Sequence, residues 1–130
     1  MNIIKTICKE RNIRLIDVTL LSKKEFKNLI DNTTGRKKDF IENSYICGKE
    51  IVLGIYDDKD KRMASFFHEL GHLLIHKKYK KYPEGMKKLH WEIECWNCGI
   101  YYAFKRFGII FKEDTIKWAY EEALSYYHYA

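Results

Sequence analysis

The sequence predicts an α+β fold in which a small curved β-sheet packs beside a helical core. Short segments that alternate apolar and polar residues, typical of half-buried strands, occur in the first half of the chain. Longer segments with apolar residues at helical spacing dominate the second half. At 130 residues, 46% of them hydrophobic, the chain is long enough to bury one core. We therefore expect a single domain over residues 1–130.

The first half of the chain is expected to contain two helices and three short strands. In order, these are a helix at Ile3–Arg11, a strand at residues 13–18, a helix at residues 22–30, and two hairpin strands at residues 44–47 and 50–56. Ser22 and Glu25 have the spacing of a capping box, which marks the start of the second helix. The turn of the hairpin is expected at Gly48 and Lys49.

Three helices are expected in the second half, at residues 63–76, at residues 89–107 and from about Asp114 onwards. Asp57 and Asp58 precede the first of these and suit its positive N-terminal end. The apolar stripe of the last helix should pack on the other two, and it consists of Ile116, Ala119, Tyr120, Ala123, Leu124 and Tyr127.

The segment His68-Glu69-Leu70-Gly71-His72 carries the clearest chemical signal in the chain. Residues four apart lie on one face of a helix, so both imidazoles can reach one metal ion, as Zn²⁺ requires of two ligands. The Glu69 carboxylate lies about 100° further around the helix, where it can take a proton from an attacking water. This H-E-x-x-H pattern predicts metal-assisted hydrolysis of an amide bond.

Apolar residues surround this motif, so its helix should be packed in the core: Met63, Phe66, Phe67, Leu70, Leu73 and Leu74. Buried imidazoles and carboxylates need polar partners or a metal, which favours a metal site over a chance occurrence. A metal site without catalysis remains an alternative. Gly71 costs about 1 kcal/mol relative to Ala inside a helix, which indicates close approach by another backbone.

A third metal ligand has to come from another helix. The extended pattern with a third His fails because Lys78 stands at that position, and His76 lies too far along the helix to share one ion. His76 is therefore expected to support a ligand or to lie at the helix end. Glu92 and Glu94 are the candidates on the next helix, and they lie about 200° apart around it, so only one can face the metal. Periodicity leaves both open.

These two segments, residues 68–76 and residues 92–97, resemble the ImmA/IrrE family of zinc metallopeptidases. The resemblance covers roughly residues 1–105. It implies a zincin-like helical core with the H-E-x-x-H motif on a central helix. It also implies that His68, His72 and Glu94 bind zinc and that Glu69 is the catalytic base. The departures are Cys95 for the usual Ala, Trp96-Asn97, and residues 101–104 in place of Leu-Leu-Met-Pro; they affect the substrate cleft more than the metal site.

The resemblance implies a zinc-dependent endopeptidase whose substrate is a helix-turn-helix repressor of a phage or mobile element. We expect His90, Tyr101, Tyr126 or His128 to stabilise the oxyanion. The alternative is a non-hydrolytic, zinc-containing regulatory module of the toxin–antitoxin type. Because a structural site does not need Glu69, the motif favours the enzyme.

The cellular location is expected to be cytoplasmic, without membrane association. No apolar run reaches the 18 or so residues of a membrane span, and the N-terminus is charged too early for a signal peptide. Cys8 and Cys47 are expected to be buried, reduced thiols. Cys95 and Cys98 lack the second pair that a structural zinc site would need.

The net charge of +6 is concentrated on one predicted loop, which holds Lys77, Lys78, Lys80, Lys81, Lys87 and Lys88. Such a cluster could contact phosphates or attract an acidic substrate, but a solvated basic loop is the simpler interpretation. No nucleic-acid-binding motif is present in the sequence, so no direct contact with nucleic acid is expected.

Overall fold

The structure is a computed structural model that describes residues 2–32, 40–79 and 88–125. Within these ranges the predicted α+β class is confirmed, and the helices predominate. The elements are α1 (Ile3–Arg11), β1 (Arg14–Asp17), α2 (Lys23–Asn32), β2 (Tyr45–Cys47), β3 (Glu50–Leu53), α3 (Lys59–Tyr79), α4 (Lys88–Phe107) and α5 (Glu113–Leu124). A short 3₁₀ turn, Val18–Leu20, follows β1. Most of the predicted basic loop, residues 80–87, lies outside the described residues.

Side-chain caps fix where the helices begin. The predicted capping box of α2 is confirmed: Glu25 N–H donates to Ser22 Oγ at 3.1 Å, and Ser22 N–H donates to Glu25 Oε1 at 2.9 Å. Asp58 Oδ1 accepts from Asp60 N–H at 2.7 Å. This cap lets α3 begin at Lys59, four residues before the predicted start.

The sheet has the strand order β1-β3-β2, with β3 in the middle. β1 runs parallel to β3, and β2 and β3 form the predicted antiparallel hairpin. β3 ends at Leu53 instead of residue 56 because another segment presses on the next residue. A Cβ at Gly54 would lie 2.1 Å from the carbonyl oxygen of Asn43 and 2.5 Å from that of Phe40.

Helices α3 and α4 cross with their backbones in contact, as the position of Gly71 predicted. A Cβ at Gly71 would lie 2.1 Å from the Cys95 carbonyl oxygen, and one at Gly99 would lie 2.0 Å from the Phe67 carbonyl oxygen. The two glycines therefore let each helix rest on the other. α3 also contacts β2, β3 and α5, and the core that results is rich in aromatic side chains. Among the helices described, none is both long and apolar enough to cross a membrane.

Candidate metal centre

Three polar side chains meet where α3 and α4 cross. Nε2 of His68 lies 2.9 Å, and Nε2 of His72 lies 3.1 Å, from the same carboxylate oxygen, Oε2 of Glu92. One ligand atom from each residue lies within 4.8 Å of the other two. The i, i+4 spacing on α3 brings the two imidazoles together, as the motif predicted, and α4 supplies the carboxylate.

The two nitrogen–oxygen separations in this cluster suit ligands of a single divalent ion. Ligand atoms about 2.0–2.2 Å from a tetrahedral ion are about 3.3 Å from one another, close to the observed nitrogen–oxygen separations. The donor set of two imidazoles and one carboxylate leaves a fourth position open, which is the pattern of a catalytic rather than a structural zinc site. The side chain of Glu92 is only 4% exposed, and those of His68 and His72 are 11% and 20% exposed. The cluster could therefore bind a metal ion.

The structure does not bring Glu94, the third ligand that the family resemblance implied, into this cluster. Glu94 is exposed, whereas Glu92 is buried and contacts both imidazoles. The physical reason is the helix face: Glu92 shares its side of α4 with Cys95 and Gly99, which rest on α3. A residue two positions away from Glu92 necessarily points about 200° elsewhere.

The second nitrogen of each imidazole also has a partner. Nδ1 of His68 lies 3.2 Å from Oε2 of Glu69, and Nδ1 of His72 lies 3.3 Å from Sγ of Cys95. The ring of Trp96 stacks on that of His68, with centroids 4.1 Å apart and planes 2° from parallel. Such contacts fix the orientation of an imidazole, so that its Nε2 atom can face a metal ion.

Opposite charges dominate the electrostatics of the cluster. Burial by itself lowers the pKa of His68, but the Glu69 and Glu92 carboxylates outweigh burial and raise this pKa to about 9. Burial would raise the pKa of Glu92, but its hydrogen bonds with His68 and His72 hold this pKa well below the usual range. Without a metal, the cluster is therefore an ion pair between an imidazolium and a carboxylate.

The cluster opens into a cleft of about 610 Å³. Glu69 lines this cleft beside His68, His72 and Glu92, so the carboxylate predicted as the base faces the same space. All three residues of β2 line it as well. Lys88 is the one member of the predicted basic loop found among the cleft residues; Lys77 is exposed, and the other four lysine side chains lie outside the described part of the chain.

Neither of the two described residues that were predicted to stabilise an oxyanion lines this cleft. His90 and Tyr101 are exposed and absent from its lining, and His76 is exposed as well. Tyr126 and His128 lie outside the described residues. Sequence reasoning missed Tyr56, Ser65 and Trp118, all of which line the cleft. Ser65 could have been found, because it precedes Glu69 by one helical turn on the same face; Tyr56 and Trp118 carry no such signal.

The cysteines differ from one another in exposure. Cys8 is buried as predicted, whereas the expectation that Cys47 is buried was wrong, because it ends the edge strand β2 and its side chain is exposed. Cys95 is buried and Cys98 half-buried. Among the described residues, the candidate metal cluster contains no cysteine.

Comparisons with protein-family models, with curated proteins and with solved structures returned no match to this chain.

Proposed function

We propose that this protein is a zinc-dependent endopeptidase that hydrolyses a peptide bond in a protein substrate. One observation carries the proposal: His68, His72 and Glu92 converge within 4.8 Å in a cleft that the Glu69 carboxylate also lines. The three ligands leave one position open, and Glu69 follows the first ligand in sequence, as the general base does in H-E-x-x-H peptidases.

Each residue has a defined role in this reaction. The zinc would be held by His68, His72 and Glu92. When bound, it would act as a Lewis acid that activates water and polarises the carbonyl group. Glu69 accepts the proton of the attacking water through one carboxylate oxygen and then delivers it to the departing amine. Trp96 and Cys95 hold the two imidazoles in place, because Trp96 stacks on the face of the His68 ring and Sγ of Cys95 lies beside Nδ1 of His72.

The resemblance to the ImmA/IrrE family supports a zincin-like core and a substrate class. On this proposal the zinc ligands are His68, His72 and Glu92, with Glu92 in place of the Glu94 that the family pattern implied. The substrate is a helix-turn-helix repressor of a phage or mobile element, which the enzyme meets in the cytoplasm. Neither nucleic acid nor a membrane takes part in this reaction.

A second candidate function is a non-hydrolytic, metal-containing binding module. The observation that favours it is the contact between Glu69 Oε2 and His68 Nδ1 at 3.2 Å. In this second function, the Glu69 carboxylate orients a metal-ligating histidine and takes no part in proton transfer.

The substitution Glu69→Gln separates the two candidates. The carboxamide still contacts His68 but cannot accept a proton, so zinc content and thermal stability should stay near those of the unchanged protein while hydrolysis is lost. Cleavage is measured by mass spectrometry, first on a mixture of peptides from a digested proteome. The second substrate is a repressor encoded next to this protein's gene and co-expressed with it. Glu94→Gln, outside the cluster, is the matched control. If Glu69→Gln leaves the biological activity intact, the binding module is the correct function.

A further inference from the structure

The loop between β3 and α3 places a phenol in the cleft. Tyr56 follows Ile55, whose N–H donates to the Phe40 carbonyl at 2.8 Å and whose carbonyl accepts from Glu42 N–H at 2.8 Å. These two bonds tie the backbone next to Tyr56 to the segment that precedes β2. The side chain therefore extends from an anchored position, although no helix or strand carries it.

Aromatic contacts connect the Tyr56 ring with the metal cluster. It meets the Trp118 ring edge-on, with centroids 6.2 Å apart, and Trp118 meets Trp96 edge-on at 5.8 Å. Trp96 stacks on His68. An unbroken wall of rings therefore runs along the cleft from the phenol to a ligand of the candidate metal.

The hydroxyl of Tyr56 is held by two serines. It lies 2.8 Å from Ser44 Oγ, and Ser44 Oγ already accepts a hydrogen bond from Gly54 N–H at 2.8 Å. A further hydrogen bond joins the Tyr56 hydroxyl to Ser65, which lies one turn before Glu69 on the same face of α3. Both serine hydroxyls can donate to the phenol oxygen, which leaves the phenol's own hydrogen free to point into the cleft.

The surroundings keep this phenol protonated. Burial raises the pKa of Tyr56 above its ordinary value and outweighs the hydrogen bonds with Ser44 and Ser65, which lower it; the carboxylates of Glu69 and Glu122 add a smaller rise. At neutral pH the group is therefore a hydrogen-bond donor. A neutral donor close to the catalytic carboxylate suits an oxygen atom that gains negative charge during a reaction.

We propose that Tyr56 is a catalytic residue whose hydroxyl donates a hydrogen bond to the substrate carbonyl oxygen as it becomes an oxyanion. This role rests on the proposed peptidase function. It takes the place of two donors expected from the sequence, His90 and Tyr101, because Tyr56 lines the cleft and these two lie outside its lining. The donor acts on the reacting oxygen, and Ser44 and Ser65 position it.

The substitution Tyr56→Phe tests the role, because it removes the hydroxyl and keeps the ring that packs on Trp118. The first readout is binding of a phosphinic tetrapeptide, whose tetrahedral phosphinate imitates the oxyanion, measured by calorimetry on the zinc-loaded protein. We expect its affinity to fall at least about tenfold, with zinc content unchanged. On a single peptide found to be cleaved in the proteome-derived mixture, kcat should fall about 100-fold with little change in KM.

Tyr120→Phe is the matched control. Tyr120 lies on α5, donates to Asn97 Oδ1 at 3.2 Å and is not among the cleft residues, so its loss should change neither measurement. If Tyr56→Phe cleaves peptides and binds the phosphinate as the unchanged protein does, the role of Tyr56 is overturned while the peptidase function stands. If the unchanged, zinc-loaded protein neither cleaves peptides nor binds the phosphinate, the peptidase function is overturned and this role with it.

Discussion

One carboxylate oxygen of Glu92 lies 2.9 Å from Nε2 of His68, across the crossing of α3 and α4. The same oxygen lies 3.1 Å from Nε2 of His72, so one atom of α4 faces both imidazoles of α3. The separation of the two helices therefore sets the size of the metal cluster.

Replacing Glu92 should remove the metal, and replacing Glu94 should not. Glu92→Gln exchanges a buried carboxylate for a weak neutral ligand, so we expect zinc affinity to fall at least about 100-fold. Glu94 is exposed and outside the cluster, so Glu94→Gln should stay within about threefold of the unchanged protein. Competition with a chromogenic chelator measures both affinities. The opposite ranking would contradict the structure of this site.

Adding one methyl group at the helix crossing should destabilise the protein. The Cβ of Gly71→Ala would lie 2.1 Å from the Cys95 carbonyl oxygen, so the helices must separate. Overpacking of this kind costs about 1–3 kcal/mol, more than the gain in helix propensity from Ala. Urea unfolding gives the change in the free energy of unfolding, and we expect zinc affinity to fall as well.

The control for this prediction is Gly48→Ala in the hairpin turn. Its φ is +60°, and an added Cβ would meet nothing within 4 Å. It should cost about 1–2 kcal/mol of backbone strain and leave zinc affinity unchanged. Equal zinc affinities in both variants would mean that the crossing does not set the cluster geometry.

The metal-free protein should be most stable at mildly acidic pH. The pKa of His68 is raised to about 9, above the value of about 6.5 in an unfolded chain, so its contribution is complete below about pH 6.5 and is lost towards pH 9. The pKa of Glu92 is lowered, so its contribution is lost as the pH falls below about 4.5. Urea unfolding with a chelator present, from pH 4 to pH 9, should therefore show a maximum near pH 5–6.5.

Added zinc should offset the loss of stability that the metal-free protein shows at alkaline pH. Metal binding requires deprotonated imidazoles, so the stabilisation by added zinc should grow from pH 6 to pH 8. Glu92→Gln removes one of the two carboxylates that raise the pKa of His68, the other being Glu69, so it should flatten the metal-free profile in part. A metal-free protein that gains stability between pH 6.5 and pH 9 would show that His68 is not paired as described.

The four cysteines should react with a thiol reagent at very different rates. Cys47 is exposed and should react first. Burial raises the pKa of Cys8, and burial together with Glu92 and Glu69 raises the pKa of Cys95, so both should react slowly in the native protein. An absorbance assay with an aromatic disulfide follows the phases. Cys47→Ser should remove the fastest phase, and its persistence would refute the placement of β2 at the sheet edge.

Local signals explain which parts of the fold were predictable from the sequence. The capping box at Ser22 and Glu25 and the apolar periodicity of α4 act within a few residues, so both elements were predicted within one or two residues of their bounds. The end of β3 was not predictable in this way. It depends on Phe40 and Asn43 pressing on Gly54, a contact between segments that no local pattern encodes.

The candidate site was likewise predictable only where local helix geometry was sufficient. The spacing of His68 and His72 follows from helix geometry alone, so the sequence was enough to pair them. The choice between Glu92 and Glu94 depended on which face of α4 meets α3. Gly99 lies two turns after Glu92 and marks that face, since only a glycine permits the close approach at the crossing. Tyr56 could not be assigned, because its place depends on how a loop is anchored.

Parallel pairing of β1 with β3 joins strands that are separated in the chain by α2 and β2. Closing such a long loop costs entropy before any contact compensates for it, so sheets of this kind form slowly. The metal cluster, by contrast, lies on α3 and α4, two helices that are consecutive in the chain. During folding we therefore expect this helix pair to assemble and capture its ion early. β2 and Tyr56 line the cleft and should reach their final positions later. Metal uptake should therefore precede the ability to bind a substrate.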